Sequence, residues 1–303
     1  MTRPAILAGD PSASGSGRWR RLAARWGEPA LVALSVAGGL LLWVLIVLDP
    51  HTGWDARVYW STSLSHPYVS TIEGAAGAPG AYLYSPAFRQ AIEPLTLLSW
   101  PAFHAIWEAL LIGLVVAMSG PFALLILYNP VMLIELQAGN IHVLLAAAIV
   151  LGFRYPATWA FVLLTKATPG IGLLWFAVRR EWRNLGLAVG ATALVVGASL
   201  LLAPGLWAQW IESLARNATI PFADYSATIG GPLWLRGPIA AALVAWGGLT
   251  NRRWTVPAAA TLAIPLLAYF NFSLLVALVP LLIPRSTAWL VRLVRLGSRH
   301  APV

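Results

Sequence analysis

The chain contains no cysteine, a single lysine and few charges of either sign. Without cysteine, it has no means of building a disulfide framework, a thiolate nucleophile or a thiolate metal site. Charged residues make up 10% of the 303 positions, whereas about 25% is typical of a soluble domain. Apolar residues make up 59%. This composition predicts an all-α polytopic membrane protein.

Several apolar runs approach or reach the length of about 20 residues that an α-helix needs to cross a hydrocarbon layer. The clearest are 31–48, 102–118, 159–178 and 185–202. The first run has no small-residue cleavage site after it and is long enough to span, so it predicts a membrane helix rather than a signal peptide.

Arginine supplies 19 of the 20 basic residues, and the net charge is +9. This bias, with abundant Ala, Gly, Pro and Trp, indicates a high-GC bacterial coding sequence. The arginines cluster at the ends of apolar runs, which the positive-inside rule assigns to the cytoplasm. Such clusters contact anionic lipid head groups rather than nucleic acid. They are found at 18–25, 179–183, 252–253 and 285–299.

With these clusters inside, the sequence predicts a bundle of about ten transmembrane helices in the plasma membrane, with both termini cytoplasmic. Two long external loops, 49–85 and 204–236, place any chemistry on the outer face. We expect a disordered basic tail at 1–28, a transmembrane domain at 29–285 and a second cytoplasmic basic tail at 286–303. The predicted helices are 30–48, 86–99, 102–118, 121–136, 141–152, 157–178, 185–202, 237–250 and two that flank 269–273.

Ionisable residues inside predicted spans cost about 2.5–3.5 kcal/mol each at mid-helix unless they are paired or hydrated. Lys166 lies in the middle of the predicted helix 157–178, where Pro169 should loosen the turn around Thr165. Two interpretations stay open for Lys166. It is either a cationic anchor for a phosphate or carboxylate, or the partner of a buried glutamate.

Two further pairs have the four-residue spacing of neighbours on a helix face. Arg89 with Glu93, and His104 with Glu108, are therefore predicted to form internal polar contacts. Glu135 is expected to be no more than a packing partner. The acids and histidines of the first external loop lack metal-ligand spacing, so we expect no metal site.

A series of short motifs follows the chain in a fixed order. Trp54-Asp55-x-x-Val58-Tyr59 comes after the first helix, and Tyr82-Leu83-Tyr84-Ser85-Pro86 opens the second. Asn129-Pro130, Gly139-Asn140-Ile141-His142-Val143-Leu144-Leu145 and Lys166-x-x-Pro169 follow. Over about residues 30–200 the series resembles glycosyltransferase family 87, the polyprenyl-phosphate-mannose-type α-mannosyltransferases with a GT-C membrane fold.

The resemblance implies a hexosyltransferase that uses a polyprenyl-phosphate sugar donor on the external face and inverts the anomeric carbon. It implies that Asp55 is the general base on an acceptor hydroxyl of a glycolipid or another envelope molecule. The Tyr82–Pro86 and Gly139–His142 blocks match family motifs near the active-site cavity, and Lys166 matches a family lysine. No cofactor is implied.

The residue types are compatible with the chemistry that the resemblance implies. A carboxylate must deprotonate the hydroxyl, and cations must stabilise the departing phosphate. Arg57, Arg89 and Lys166 are the candidate cations, which makes a metal unnecessary. The candidate cavity residues are Trp54, Tyr59, Tyr82, Tyr84, Asn140 and His142. The aromatic members among them either stack on the sugar or belong to the interfacial belt.

Two other functions remain open for such a chain. A lipid or solute transporter, including a flippase, is the first, because Lys166, Glu93 and Glu108 fall within predicted spans. A non-catalytic family member that serves envelope assembly is the second.

Overall fold

The computed structural model describes residues 12–62, 67–68, 82–219 and 229–283, and every regular element within these ranges is a helix. The first half contains α1 (Ser12–Leu48), α2 (Trp54–Ser61), α3 (Pro86–Thr96), α4 (Trp100–Ser119), α5 (Ala123–Leu127), α6 (Pro130–Ala138) and α7 (His142–Gly152). The second half contains α8 (Trp159–Thr165), α9 (Leu174–Val178), α10 (Trp182–Leu202), α11 (Pro204–Thr219), α12 (Leu233–Thr250), α13 (Thr255–Leu262) and α14 (Leu278–Leu282). Four 3₁₀ turns link them: Gly120–Phe122, Pro156–Thr158, Thr168–Leu173 and Tyr269–Ala277.

Three helices of this part of the chain are long and apolar enough to cross a membrane. They are Gly27–Leu48 within α1, Trp100–Leu127 and Trp182–Leu202. The pair α6 and α7 would add a fourth span, broken by a bend of 106°. The all-helical fold is therefore confirmed for the described residues, which include three to four apolar helices able to cross a membrane, while the ten-helix bundle stays a prediction.

The first helix is longer than expected. α1 begins at Ser12, so residues 12–28 are helical and not the disordered tail that the small residues around Ser14 suggested. The segment from Arg18 to Arg25 contains Ala, Leu and Arg, which are good helix formers, and it runs without a break into the apolar span. Residues 1–11 and the predicted tail at 286–303 lie outside the described ranges.

Proline positions explain where helices begin. Ser85 caps α3 by accepting a hydrogen bond from the backbone N–H of Phe88 at 3.4 Å, and Pro86 occupies the first turn, as predicted. Asn129 caps α6 in the same way, accepting from Val131 N at 3.0 Å. The sequence predicts one helix over 121–136 with a kink at Asn129-Pro130; the chain does break at that position, but the single helix is wrong. Its first part continues the span of α4 through a 3₁₀ turn, and a new helix begins at Pro130.

The second external loop also differs from expectation, because α11 occupies much of it. Its indoles hold it to the bundle: Trp207 Nε1 donates to Ser199 Oγ at 3.0 Å, and Trp210 Nε1 donates to Leu83 O at 3.1 Å. Ile211 is 60% exposed on the same helix. An amphipathic helix of this kind suits a membrane interface.

The helices of the first and last thirds meet around α7. α1 packs against α4 and α5, while α7 contacts α4, α8 and the 3₁₀ turn Tyr269–Ala277. That turn also contacts α6. The core consequently contains the corner between α6 and α7, with α2 packed against α6 on one side.

Arg236 of α12 is buried and fastens the chain after α13. Its guanidinium donates to Gly231 O at 2.8 Å, Ile264 O at 2.8 Å, Pro265 O at 2.7 Å and also to Leu262 O. The last carbonyls of a helix lack partners within the helix. Arg236 supplies such a partner for Leu262, the last residue of α13, and also binds two carbonyls just after the helix.

Replacing Arg236 by Met is expected to lower the free energy of unfolding by about 3 kcal/mol, because several charge-assisted hydrogen bonds are lost and buried carbonyls stay unpaired. Thermal unfolding of the purified chain in detergent, followed by tryptophan fluorescence, measures the loss. Arg216→Met is the control, since the ion pair of Arg216 with Glu212 is about half exposed and such pairs contribute about 1 kcal/mol at most. Equal losses in the two variants would refute the role of Arg236.

Candidate functional site

The corner between α6 and α7 depends on Gly139. Gly139 adopts φ +67° at the end of α6, in the left-handed region that favours glycine. A Cβ at this position would lie 2.6 Å from Ala56 Cβ and 2.8 Å from Glu108 Oε1. α2 and α4 therefore approach the corner so closely that no side chain fits between them.

Asp55 lies in the first turn of α2 and faces this corner. Gly53, which precedes α2 with φ +74°, donates its N–H to Gln137 O at 2.6 Å and so ties α2 to the end of α6. Asn140 then donates a hydrogen bond from Nδ2 to Asp55 Oδ2. Its Oδ1 accepts from the backbone N–H of Ile141 at 2.7 Å, which orients the amide toward the carboxylate. The candidate base and a candidate cavity residue are thus brought together.

Burial raises the pKa of the Asp55 carboxyl to about 6. The positive charge of Lys166 opposes this rise, and the negative charge of Glu135 adds to it. Because a charged form loses hydration when it is buried, desolvation outweighs the attraction of the lysine. A carboxyl with such a pKa can accept a proton near neutral pH.

On the other side of the corner, His142 is the centre of a buried polar network. Its backbone N–H donates to Glu135 Oε1 at 2.8 Å, and its ring Nδ1 lies 2.9 Å from Glu135 Oε2. Its Nε2 lies 2.7 Å from Lys166 Nζ and 3.0 Å from Asn271 Nδ2. Both His142 and Glu135 are inaccessible to solvent. His142 is thus a fully hydrogen-bonded residue.

Lys166 reaches this network because the chain is not helical there. α8 ends at Thr165, and Lys166 has the extended angles φ −135° and ψ 100° before the next turn begins at Thr168. The interruption predicted around Pro169 is confirmed. Lys166 is joined to the buried Glu135 through the His142 ring, and its charge acts on Asp55. Lys166 is therefore linked to a buried glutamate, as one interpretation requires, and its charge also acts on Asp55, where the other interpretation places an anionic ligand.

The two candidate arginines have other partners. Arg57 is exposed, with its guanidinium 4.3 Å from the centre of the Trp100 ring. Arg89 is buried, donates from Nε to Thr62 O at 2.9 Å and forms the predicted ion pair with Glu93. Among the described residues, neither arginine hydrogen-bonds to the Asp55–Lys166 cluster. The Arg89–Glu93 contact is confirmed.

The candidate tyrosines form a buried aromatic cluster beside Asp55. The hydroxyls of Tyr59 and Tyr84 are 3.1 Å apart, and the rings of Tyr82 and Tyr84 are 5.5 Å apart. Trp107 packs against Tyr59 and donates from Nε1 to Gly139 O at 2.8 Å. Trp54, by contrast, is 48% exposed. Tyr59 and Tyr84 support the site, and Trp54 lies at its surface.

An apolar cleft of about 240 Å³ opens between α3, α8 and α10. Phe88, Ala91, Phe161 and Leu164 line it, and Thr165 lies at its wall. Thr165 directly precedes Lys166 in the chain, but Lys166 itself is not one of the residues that line the cleft. The ring of Phe88 also contacts Tyr59 and Tyr84.

Glu108 of α4 is the least satisfied polar group near the corner. It is inaccessible to solvent, and within the described ranges neither carboxylate oxygen has a hydrogen-bond partner. His104 Nε2 lies 3.8 Å from Oε1, which is too far for a hydrogen bond. The predicted i, i+4 contact is present in space but is not hydrogen-bonded.

In the described part of the chain, no group of three or more acidic, histidine or cysteine residues is arranged to hold a metal ion. His66 and Glu73, two members of the first-loop set, lie outside that part.

Sequence reasoning missed two members of the site, Glu135 and Asn271. Glu135 is seven residues before His142, across a Gly139-Asn140 break that signals a turn. That proximity could have singled it out. Asn271 lies in the polar interruption Tyr269–Ser273, but its partner His142 is 129 residues away. No local pattern predicts such a contact.

Comparison of this chain with models of protein families, with curated proteins and with solved structures finds no match in any of the three. The described residues form an all-helical fold with apolar helices long enough to cross a membrane and an acid–amide–histidine–lysine cluster at the corner between α6 and α7. The resemblance to glycosyltransferase family 87 rests on the sequence motifs alone.

Proposed function

We propose that the chain is a multi-pass glycosyltransferase of the bacterial plasma membrane with a GT-C-like bundle of about ten transmembrane helices. It transfers a sugar, taken here as mannose, from a polyprenyl-phosphate donor to an acceptor hydroxyl on the external face. The acceptor is a glycolipid or another envelope molecule. One observation supports the proposal most: Asn140 contacts Asp55, and His142, two residues later, contacts Lys166.

This arrangement suits a single displacement with inversion. The acceptor oxygen attacks the anomeric carbon, the bond from that carbon to the phosphate oxygen breaks, and Asp55 receives the hydroxyl proton. The polyprenyl phosphate leaves as an anion beside the Lys166 ammonium. Since the ammonium supplies the positive charge, the proposed reaction uses no metal and no cofactor.

The apolar cleft supports a lipid-linked donor. A prenyl chain in contact with Phe88, Phe161 and Leu164 would extend to Thr165, the residue before Lys166 in the chain. A cleft with apolar walls matches the prenyl part of such a donor. In this proposal Arg57 and Arg89 are secondary, because their guanidinium groups are engaged elsewhere.

The proposal is tested by transfer itself. The purified full chain in detergent is incubated with radiolabelled polyprenyl-phosphate mannose and a lipid extract of bacterial envelopes. The expected result is a labelled product whose anomeric configuration is opposite to that of the donor. If the label stays on the donor with every envelope fraction tested, the proposal fails.

The pKa of Asp55 gives the reaction a pH dependence. Its pKa of about 6 leaves the carboxyl largely protonated near pH 5 and ionised near pH 7. A general base acts in its ionised form, so the transfer rate should rise as the pH increases through about 6 and then level off. Initial rates between about pH 5 and about pH 7 measure this rise. A rate that falls over this interval would contradict the role of Asp55.

A lipid or solute transporter, including a flippase, is the second candidate. Glu108, buried in a membrane-spanning helix with no hydrogen-bond partner among the described residues, favours it. Intramembrane carboxyl groups often belong to ion or proton pathways. Proteoliposomes distinguish the two functions, because a transporter would move label across the bilayer without forming a glycosidic bond.

A further inference from the structure

Glu135 contacts both Asn140 and His142, the residues that bind Asp55 and Lys166. One carboxylate oxygen accepts from the backbone N–H of His142, the other lies 2.9 Å from the His142 ring Nδ1, and the backbone carbonyl accepts from Asn140 N at 3.2 Å. A buried carboxylate is costly unless hydrogen bonds compensate for its lost hydration. Here the compensation comes from the residue that also contacts Lys166.

The contacts of the His142 ring determine which nitrogen carries its proton. Lys166 has only donors at Nζ. Asn271 accepts from the backbone N–H of Ala268 at 2.7 Å through Oδ1, which turns its Nδ2 donor toward the ring. Nε2 therefore faces two donors and must be the unprotonated acceptor. The proton is consequently on Nδ1, from which it is donated to Glu135.

The Lys166 ammonium has more N–H donors than it uses in hydrogen bonds to the described residues. Within the described residues it makes one hydrogen bond, to His142 Nε2, while an ammonium has three N–H groups. If an anion draws the ammonium away, Asn271 is already within 3.0 Å of Nε2 and can hold the ring in place. The network is thus arranged to keep its geometry when Lys166 moves.

We propose that Glu135 is the positioning residue of this site. It fixes His142 as the Nδ1–H tautomer, so that Nε2 retains the Lys166 ammonium near Asp55 until a phosphate-bearing lipid binds. Asn271, which already contacts Nε2, then remains as the donor that holds the ring in place. The nature of the anionic ligand rests on the proposed function. The His142 tautomer and the contact between His142 and Lys166 do not depend on the proposed function.

The composition of the chain makes the experiment direct. The single lysine gives one side-chain ammonium signal, and the five histidines give a small set of ring signals, when the full chain is labelled with ¹⁵N-lysine and ¹⁵N-histidine and studied by NMR in micelles. The His142 signals are assigned by their absence in His142→Gln. The expected result in the unmodified chain is a neutral His142 ring with its proton on Nδ1. A ring protonated on Nε2 would overturn the proposal without any variant.

Glu135→Gln tests the cause. A carboxamide has one acceptor oxygen where the carboxylate has two, so it can serve either the backbone N–H or the ring of His142, but not both. We expect the single tautomer to be replaced by a mixture and the Lys166 signal to shift. Glu212→Gln, on the exposed face of α11, is the control and should leave both signals unchanged. An unaltered His142 tautomer in Glu135→Gln overturns the proposal.

The ligand arm uses farnesyl phosphate in micelles and, separately, inorganic phosphate. The lipid phosphate is expected to shift the Lys166 signal and leave the His142 proton on Nδ1, whereas inorganic phosphate at the same concentration should shift it less. If the His142 proton leaves Nδ1 when the lipid phosphate binds, Asn271 does not hold the ring in place as proposed. In the transfer assay, Glu135→Gln should lower kcat by about 10-fold to 100-fold through misplacement of Lys166. Absence of transfer by the unmodified chain would refute only the proposed function, because the NMR measurement of the His142 tautomer does not depend on the transfer assay.

Discussion

Replacing Asp55 by Asn is expected to lower the transfer rate by a factor of about 100 to 10,000, the usual contribution of a general base. The amide has nearly the shape of the carboxyl and still accepts from Asn140, but it cannot receive the acceptor proton. Transfer of labelled mannose from the polyprenyl-phosphate donor by the purified variant measures the loss.

The same substitution should leave the fold intact. Because burial raises the pKa of Asp55, its ionised form is less favourable in the folded chain than in the unfolded chain at neutral pH. Asp55→Asn removes that cost, so the melting temperature should be unchanged or higher. Asp49→Asn, at an exposed position after α1, is the matched control and should keep full activity. Full turnover by Asp55→Asn would show that Asp55 is not the base.

Replacing Gly139 by Ala is expected to impair both stability and activity. The left-handed backbone angles of Gly139 cost a residue with a side chain about 1–3 kcal/mol. In addition, the new methyl group would overlap Ala56 Cβ and Glu108 Oε1. α2 would have to move away from the corner, and a displacement of about 1 Å at the site can reduce the rate by about 100-fold.

Gly113→Ala is the control for this prediction. Gly113 lies inside α4, and a Cβ there would have nothing within 4 Å. Since Ala is favoured over Gly in a helix by up to about 1 kcal/mol, this variant should be neutral or slightly stabilised. Thermal unfolding and transfer rates are measured for both. If Gly139→Ala behaves like Gly113→Ala, the close contact between α2 and the corner is not required.

Local sequence signals predicted the parts of the structure that depend on neighbours in the chain. Ser85-Pro86 gave the start of α3, Pro169 gave the interruption at Lys166, and the four-residue spacing gave the Arg89–Glu93 pair. Each involves residues within a single turn or two, where backbone preferences and side-chain reach decide the outcome.

The remaining features depend on packing that no local pattern encodes. The sequence predicted separate helices over 102–118 and 121–136, but a 3₁₀ turn at Gly120–Phe122 continues the span, because proline lacks only a donor that the first turn does not need. The full hydrogen-bond network around His142 could not be predicted from the sequence, because Asn271 lies 129 residues after His142 in the chain. Arg89 was a candidate for the donor phosphate, but its Nε donates to Thr62 O, a contact 27 residues away that no local pattern indicates.

The corner at Gly139 has a consequence for how this site can change during evolution. The acid is held through Asn140 and the ammonium through His142, so both are fixed by one short stretch of backbone. An insertion or deletion of one residue there would misplace both partners in a single step. Compensation would require simultaneous changes in α2 and in the segment around Lys166. Variation in this chain should therefore accumulate in the amphipathic α11 and the basic ends, while the length of the corner stays constant.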